Sequence, residues 1–285
     1  MEPGIISKVI GGIGNQMFQA AAGFAASKKY NCPLYLTKYT YQNHHKNIVN
    51  YFETVFKHLG NPIEQEDYDK CIQNFFPYGI NNFNNHAWEF YMPSTHEYST
   101  DNLTIPILFN QYFQYYPPIE PYEFELRSIF TNGLIHHIET IKMEYESKVE
   151  LDKSVFLHIR RGDYVGLQHI HPLTTMSYYE NAIKIVEETS SNIIIFSDDI
   201  EWAKQQTLFS SNPKVFFIDN KDEVYTLAFM SLCKKGAICA NSTFSWWGAF
   251  LGAYEKRNPV YVPRNWILNS RIDALFPKEW IVLDC

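Results

Sequence analysis

The sequence is short of the features that announce several common protein classes. It has only five cysteines in 285 residues, at 32, 71, 233, 239 and 285, and none form a C-x-x-C pair. An odd number without metal-type spacing reads as reduced thiols, with no disulfide framework and no zinc cluster. No run of eighteen apolar residues occurs, and the opening MEPGIISKVIGG lacks a basic segment followed by an apolar one. Neither a membrane span nor a secretory signal is expected, and the expected compartment is the cytoplasm. Basic charge is scarce too: 24 Lys and Arg stand against 31 Asp and Glu, a net charge of −7. Nucleic-acid binding needs clustered Lys and Arg to neutralise phosphates, so no nucleic-acid partner is expected.

What is present is apolar and aromatic mass. The chain is 46% hydrophobic and 19% charged, enough apolar surface to offset chain entropy, which excludes disorder. It carries 20 Tyr, 21 Phe and 6 Trp, 16% of its residues. Such content suits a bulky core and also sites that stack rings or sugars, and composition does not choose between them. The length allows one large domain or two small ones.

Periodicity supplies the architecture. Ile5, Ile6, Val9 and Ile10 form a short apolar run that ends at Gly11-Gly12 and reads as a buried strand. Gly12-Ile13-Gly14 makes a tight turn, residues 17–30 have helical composition, and Pro33 to Leu36 reads as a second strand. Strand, glycine turn, helix, strand is a βαβ opening. Residues 40–145 show little clean periodicity, with NNFNNH at 81–86 a loop and 141–154 a charged helix or linker. From 154 the alternation is regular. Strands are expected at 154–160, 192–196, 214–218, 237–240 and 259–262, with helices at 177–189, 200–209, 222–233 and 242–254. The reading is α/β throughout, with an N-terminal domain over 1–150 and a C-terminal one over 151–285.

Open parallel sheets bind ligands outside the carboxyl ends of their strands. HIRRGDY follows the strand at 154, and its adjacent guanidiniums are costly to bury without anions. The forks of Arg160 and Arg161 suit phosphate oxygens, with Asp163 or another carboxylate holding whichever side chain points away. The alternative is a structural Arg–Asp network. NSTFSWW puts Asn241, Ser242, Thr243 and Ser245 at a strand-to-helix junction, where free amides and hydroxyls suit an anion and where ordinary N-capping is also served. Trp246 and Trp247 read as core. Asp198 and Asp199 suit sugar or ribose hydroxyls, or an N-cap for the helix at 200. GGIGNQ imitates a dinucleotide fingerprint, but Met17 stands where the last glycine belongs and Thr37-Lys38 where an acidic residue is expected, so a dehydrogenase is disfavoured. Asp67 and Asp69 mimic a metal-binding D-x-D but read as a solvated loop. His169, His171 and the His pairs at 44–45 and 136–137 lack metal spacing. The sequons at Asn102 and Asn241 are discounted in a chain without a signal.

Taken in order, GGIGNQMFQ, FNQYFQYY (109–116), HIRRGDYV, HPLTTMSYYENAI (171–183), FSDDIEWAK (196–204) and NSTFSWWGAFL resemble the α-1,2-fucosyltransferases, glycosyltransferase family 11. The resemblance touches nearly the full length and is weakest over 40–100. It implies a GT-B-type fold, with two Rossmann-like domains whose parallel sheets face across a cleft, and an inverting transfer that needs no metal and no cofactor. The co-substrate would be a nucleotide sugar, GDP-fucose above others, and the acceptor a glycan. By the same resemblance, Arg160 would hold the β-phosphate and stabilise the leaving diphosphate, with Asp163 supporting it. His158 would lie near base and ribose, and Ser242, Thr243 and Ser245 would donate to phosphates. Gly12, Gly14, Asn15 and Gln16 would line the sugar or acceptor side. Thr226 stands where the family commonly has an Asp that grips guanine, with Asp222 and Glu223 one turn earlier. A lone hydroxyl cannot make a carboxylate's double contact, which leaves a UDP-sugar or another GDP-sugar as an alternative donor. Asn110-Gln111 also departs from the family's common Gly-Tyr. A non-catalytic nucleotide-sugar or glycan binder is the rival outside enzymes, disfavoured by the intact HIRRGD and NSTFS.

Overall fold

The computed structural model describes residues 2–38, 51–75, 107–219, 222–252, 258–268 and 274–285. The chain forms two units: Met1–Gly133 with Ser270–Pro277, and Leu134–Asn269 with Lys278–Cys285. Both are α/β with an all-parallel sheet.

The first unit contains β1 (Ile5–Ser7), α1 (Ile13–Tyr30), β2 (Leu34–Thr37), β3 (Asn61–Ile63), α2 (Gln65–Phe75), β4 (Ile107–Phe109) and α3 (Glu123–Gly133). Its strands lie in the order β3-β2-β1-β4. Successive strands step from β1 through β2 to β3 on one side, then the chain returns to place β4 on the other. The sheet therefore has a topological switch point between β1 and β4, where open α/β sheets build ligand sites. The helix expected from 17 begins earlier, because Gly12 takes the extended N-cap conformation (φ −67°, ψ 161°) and Ile13 is already helical. Gly14 and Asn15 thus belong to the first helical turn. Ala20, Ala21, Ala22, Ala25 and Ala26 let α1 lie almost wholly buried. At Gly23 a Cβ would sit 2.4 Å from Ser7 Oγ, so only glycine lets the helix lie this close to β1. Asn31, left-handed at φ 50°, ends the helix behind Lys28 and Lys29, whose charges complement its C-terminal dipole. Of the elements not seen in the sequence, β4 is three buried residues with no exposed face, so it carries no alternation to read.

The second unit contains α4 (Ile135–Tyr145), β5 (Ser154–Ile159), α5 (Met176–Val186), β6 (Asn192–Ser197), α6 (Ile200–Gln205), α7 (Thr207–Ser210), β7 (Val215–Phe217), α8 (Glu223–Leu232), β8 (Ala237–Ile238), α9 (Thr243–Gly252), β9 (Val260–Pro263) and β10 (Ile281–Leu283). The order is β10-β9-β8-β5-β6-β7. The chain builds outward from β5 to β7, then from β8 to β10 on the other side, so the switch point lies between β5 and β8. The boundary expected at 150 falls instead at 133/134, because α4 packs on α8. The Tyr225 hydroxyl donates to Glu144 at 2.6 Å and the Tyr145 ring meets Phe229 at 4.7 Å. The single helix expected at 200–209 is two, since Gln206 is extended (φ −80°, ψ 121°).

Alternation along β5 divides the core. Val155, Leu157 and Ile159 pack with Tyr178, Tyr179, Ala182 and Ile183. On the other side, Phe156, Phe196 and Phe229 form an edge-to-face chain. Trp246 and Trp247 are fully buried on α9, with Trp246 stacked on Phe250, as core residues. Tyr178 donates its hydroxyl to Cys239 O at 2.7 Å, just past the end of β8, and lies 3.0 Å from Tyr261 O in β9.

Candidate active site

In the second unit the two loops flanking the switch point are the two sharpest motifs, the one after β5 and the one after β8. Arg160 leaves β5 and is gripped on both terminal nitrogens: Nη2 by Asp163 Oδ1 at 2.6 Å and Nη1 by Asp198 Oδ2 at 2.9 Å. Asp198 is itself fixed, its Oδ1 accepting from the Arg161 backbone N–H at 2.8 Å. Gly162 makes room for it, since a Cβ there would meet Asp198 Oδ2 at 2.6 Å. Two of the five guanidinium N–H groups go to these carboxylates, and the others suit a phosphate.

Arg161 is turned elsewhere. Its Nε donates to Asp199 Oδ2 at 3.2 Å and its guanidinium lies 3.9 Å from the Trp202 ring centre. Asp199 also caps α6, accepting from Trp202 N at 3.3 Å. Both arginines are therefore engaged by carboxylates, as the structural reading of the pair expects. Arg161 and Asp199 brace α6, whereas Arg160 is held at the strand end. Asp198 holds that arginine rather than standing ready for sugar hydroxyls. Trp202 is not among the residues that the sequence singles out, although its position three residues after a capping Asp is visible there.

The loop after β8 is more structural than its composition implies. Asn241 is buried, and its Nδ2 donates to Pro172 O at 2.9 Å and Trp266 O at 3.1 Å, while Oδ1 accepts from Thr174 at 3.4 Å. The amide clamps three segments and keeps no hydrogen for a ligand. Ser245 is likewise buried, its hydroxyl 3.1 Å from Ala240 O and from Ser242 O. Ser242 caps α9, accepting from Phe244 N at 3.3 Å, which leaves its own proton to donate. Thr243 opens the helix and is partly exposed. Of the four, Ser242 and Thr243 fit an anion at the helix N-terminus.

His158 lies on β5 beneath this loop, 4% exposed, its ring edge-on to Phe244 and its Nδ1 without a partner. Burial, with the neighbouring Arg160 cation, pushes its pKa down to about 3, so the imidazole is neutral. Tyr164, whose pKa burial raises to about 12, donates its hydroxyl to Asn241 O at 3.1 Å. Its ring lies 5.3 Å from the Arg160 guanidinium and stacks on His171 at 4.6 Å. Burial lowers the His171 pKa also, with Asp163 opposing the shift and Arg160 adding to it. Tyr164 and His171 thus join the arginine cluster. The sequence offers no metal spacing for His171, and its stack depends on a loop that folds back.

Thr226 donates its hydroxyl to Asp222 O at 2.9 Å, a helix-internal bond, and Asp222 caps α8 by accepting from Tyr225 N at 2.9 Å. Asp67 and Asp69 lie on α2, a helix rather than a loop, near Lys70 and Gln65 respectively. His136 and His137 lie on α4, with His136 3.9 Å from Glu139. The 44–45 pair, NNFNNH, Asn102 and most aromatics of 35–98 fall outside the described residues.

The first unit's switch point is flanked by GGIGNQ after β1 and by the loop after β4. Gly11 adopts φ 83°, open to glycine. Gln16 donates to Gly11 O at 2.7 Å and Gln19 Oε1 accepts from Ile10 N at 2.7 Å, so both side chains hold the turn. Gln16 is therefore scaffold in this geometry. Asn15 instead meets Gln114, which donates from Nε2 to Asn15 Oδ1 at 3.0 Å. Gly12 has open space on its Cβ side, and Gly14 is buried.

Comparison with known proteins gives the family and the fold. The model of glycosyl transferase family 11 matches residues 8–284. The chain is 30% identical over 293 positions to an alpha-1,2-colitosyltransferase of Escherichia coli, spanning 98% of this chain and 99% of the relative. Over 135 positions, 45% of this chain and 43% of the relative, it is 39% identical to the O-antigen biosynthesis glycosyltransferase WbnK of Escherichia coli. Among solved structures it is similar to the α-1,6-fucosyltransferase NodZ soaked with GDP-fucose, at TM-score 0.54 and 13% identity over 88% of this chain and 93% of that one. It is also similar to POFUT1 in complex with GDP, at TM-score 0.52 and 15% identity over 91% and 98%. At such identities the structural likeness is one of fold, here of GT-B type.

Proposed function

The chain belongs to glycosyl transferase family 11 and is a fucosyltransferase-like glycosyltransferase, and from that premise we propose an inverting transfer of fucose from GDP-fucose to the 2-hydroxyl of a galactoside. The observation that carries the reading is Arg160, held on two carboxylates at the switch point of the second unit. Departure of a sugar leaves negative charge on the diphosphate, and a cation already fixed in place stabilises that charge without reorganising. The acceptor oxygen bonds to the anomeric carbon from the face opposite the leaving group. The bond from that carbon to the phosphate oxygen breaks, and GDP departs with the electron pair. The acceptor's proton passes to solvent. Ser242 and Thr243, at the N-terminus of α9, supply further donors to the phosphates. In this reading a fixed guanidinium does the work of a metal, and no cofactor takes part. Among the described residues no helix is long and apolar enough to cross a membrane.

A second donor is tested alongside, because the full-length relative carries colitose in its name. Fucose and colitose are both 6-deoxy sugars, so one pocket shape serves either with a change at a single hydroxyl. Thermal shift with GDP and UDP, followed by product release from GDP-fucose, GDP-colitose and UDP-galactose, tests the reading. GDP should raise the melting temperature, a GDP-linked 6-deoxy sugar should be consumed, and EDTA should leave the rate unchanged. Stabilisation by UDP alone would replace the donor, and loss of activity in EDTA would restore a metal.

A further inference from the structure

Arg160 is gripped by Asp163 and Asp198, which lie in the loops after β5 and β6. Neither carboxylate ties it directly to the segment after β8, where Ser242 caps α9. One side chain reaches both. Tyr164, in the single turn Asp163–Val165, has its ring centre 5.3 Å from the Arg160 guanidinium. Its hydroxyl donates to Asn241 O at 3.1 Å, one residue before the cap of α9. A guanidinium over an aromatic ring is attracted to it, so the ring holds the cation as well as bounding it.

Tyr164 is itself held. His171 stacks on its ring at 4.6 Å, with the two planes 12° apart. The chain that carries His171 returns to the same anchor, where Asn241 Nδ2 donates to Pro172 O at 2.9 Å and Thr174 Oγ1 donates to Asn241 Oδ1 at 3.4 Å. The backbone carbonyl of Asn241 thus secures the start of the loop 164–174, and its side-chain amide secures the end. We propose that Tyr164 is a positioning residue that sets the spacing between the Arg160 guanidinium and the N-terminus of α9, so that one diphosphate meets both. The proposal rests on the transferase reading above. It assigns the part of that site that separates a nucleoside diphosphate from a monophosphate. A monophosphate needs only one of the two anchors. A diphosphate that bridges them gains the second contact in full only where their spacing is already fixed, since fixing it on binding costs affinity.

Isothermal titration of GDP and GMP into the full chain tests this, with wild type, Tyr164→Phe and Tyr164→Leu. Wild type should bind GDP about tenfold or more tighter than GMP, the second phosphate adding a charge-assisted contact. Tyr164→Phe keeps the ring and loses the hydroxyl, and should weaken GDP about fivefold while GMP changes by less than about twofold. Tyr164→Leu loses the ring face as well and should weaken GDP further, again with GMP little changed. Loss of one hydrogen bond should lower the Tm of Tyr164→Phe by roughly 2–4 °C. In transfer from GDP-fucose, Tyr164→Phe should lower kcat/KM about fivefold and cost nothing further in the Arg160→Ala background, since residues acting through one contact are non-additive. A side chain that only braces the loop would lower the Tm and leave the ratio of GDP to GMP affinity as in wild type. That unchanged ratio, equal weakening of both nucleotides, or independent losses in the double variant overturns the proposal. Should a Tyr164 variant fail to fold, His171→Ala removes the ring stacked on it and should narrow the same ratio, and an unchanged ratio there overturns the proposal too. Wild type that binds GDP no tighter than GMP overturns the diphosphate's place at Arg160, and with it the transferase reading. That failure shows in the wild type, whereas failure of the present proposal shows only in the variants.

Discussion

The two switch points are built to one plan with opposite materials. In the second unit the loops after β5 and β6 gather charge, with Arg160 and Arg161 set against Asp163, Asp198 and Asp199, and the segment after β8 adds the Ser242 and Thr243 hydroxyls. In the first unit the loops after β1 and β4 and the first turn of α1 gather glycines and carboxamides, with Asn15, Gln16 and Gln114 around the Gly11-Gly12 turn and Lys8 as the one charged side chain between β1 and α1. A sheet edge alone does not choose a ligand, because strand ends offer similar backbone geometry in both units. The side chains make the choice. Fixed charges suit a departing diphosphate, whereas carboxamides, each with a donor and an acceptor end, suit sugar hydroxyls.

The largest expected effect sets these materials against each other. Arg160→Ala should lower kcat/KM by about 10³ or more, since a preorganised donor to developing charge is worth roughly 10² to 10³ and this one carries full charge. It should also abolish stabilisation by GDP. Asn15→Ala should slow transfer by roughly tenfold to a hundredfold and keep the GDP-induced thermal shift. If both variants lose that shift equally, the division of labour between the units is wrong.

A second difference appears in acid. His158 is buried and neutral in the second unit, with a folded pKa of about 3 against about 6.5 unfolded. Between those values the unfolded chain binds the extra proton, so stability falls as pH falls through this window. The slope reaches about 1.4 kcal/mol per pH unit for this one group. The described residues of the first unit carry His58 alone, and it is exposed. Urea unfolding between pH 7 and pH 5 should therefore show acid sensitivity arising in the second unit, and His158→Gln should flatten it. An unchanged slope in that variant assigns the sensitivity elsewhere.

The smallest effects on stability come from the glycine turn and separate fold from function within it. Gly11 is at φ 83°, so Gly11→Ala should cost about 1–2 kcal/mol of stability. Gly12 has φ −67° and no heavy atom within 4 Å of a built Cβ, so Gly12→Ala should change stability by less than about 0.5 kcal/mol. If the open side of Gly12 receives the sugar, the same variant should raise the acceptor KM, read by steady-state kinetics.

Much of this architecture is legible in the amino-acid sequence. Regular alternation from 154 announces the parallel sheet, because buried strands and amphipathic helices leave periodic marks at short range. HIRRGD points to a fixed arginine, and Trp246-Trp247 to core. Which polar side chains remain available to a ligand is not legible there. Asn241 has the composition of a phosphate donor and is in fact a clamp on Pro172 and Trp266. Arg160 and Arg161 are adjacent and chemically identical, and they differ through their partners, Asp163 and Asp198 for the first and Asp199 and Trp202 for the second. β3 and β4 are three residues each, too short for a period to be seen.

Residue order alone carries the fold class, the succession of strands and helices over the second half, and the places where polar loops follow buried strands. These depend on near-neighbour spacing, which one chain contains in full. Packing in three dimensions settles which side chains hold the protein and which remain for chemistry. That outcome rests on partners far apart in sequence, such as Gln114 and Asn15, 99 positions apart. A carboxamide or guanidinium has a few donors with fixed directions, and folding commits some of them to distant carbonyls and carboxylates. What is left over defines the site.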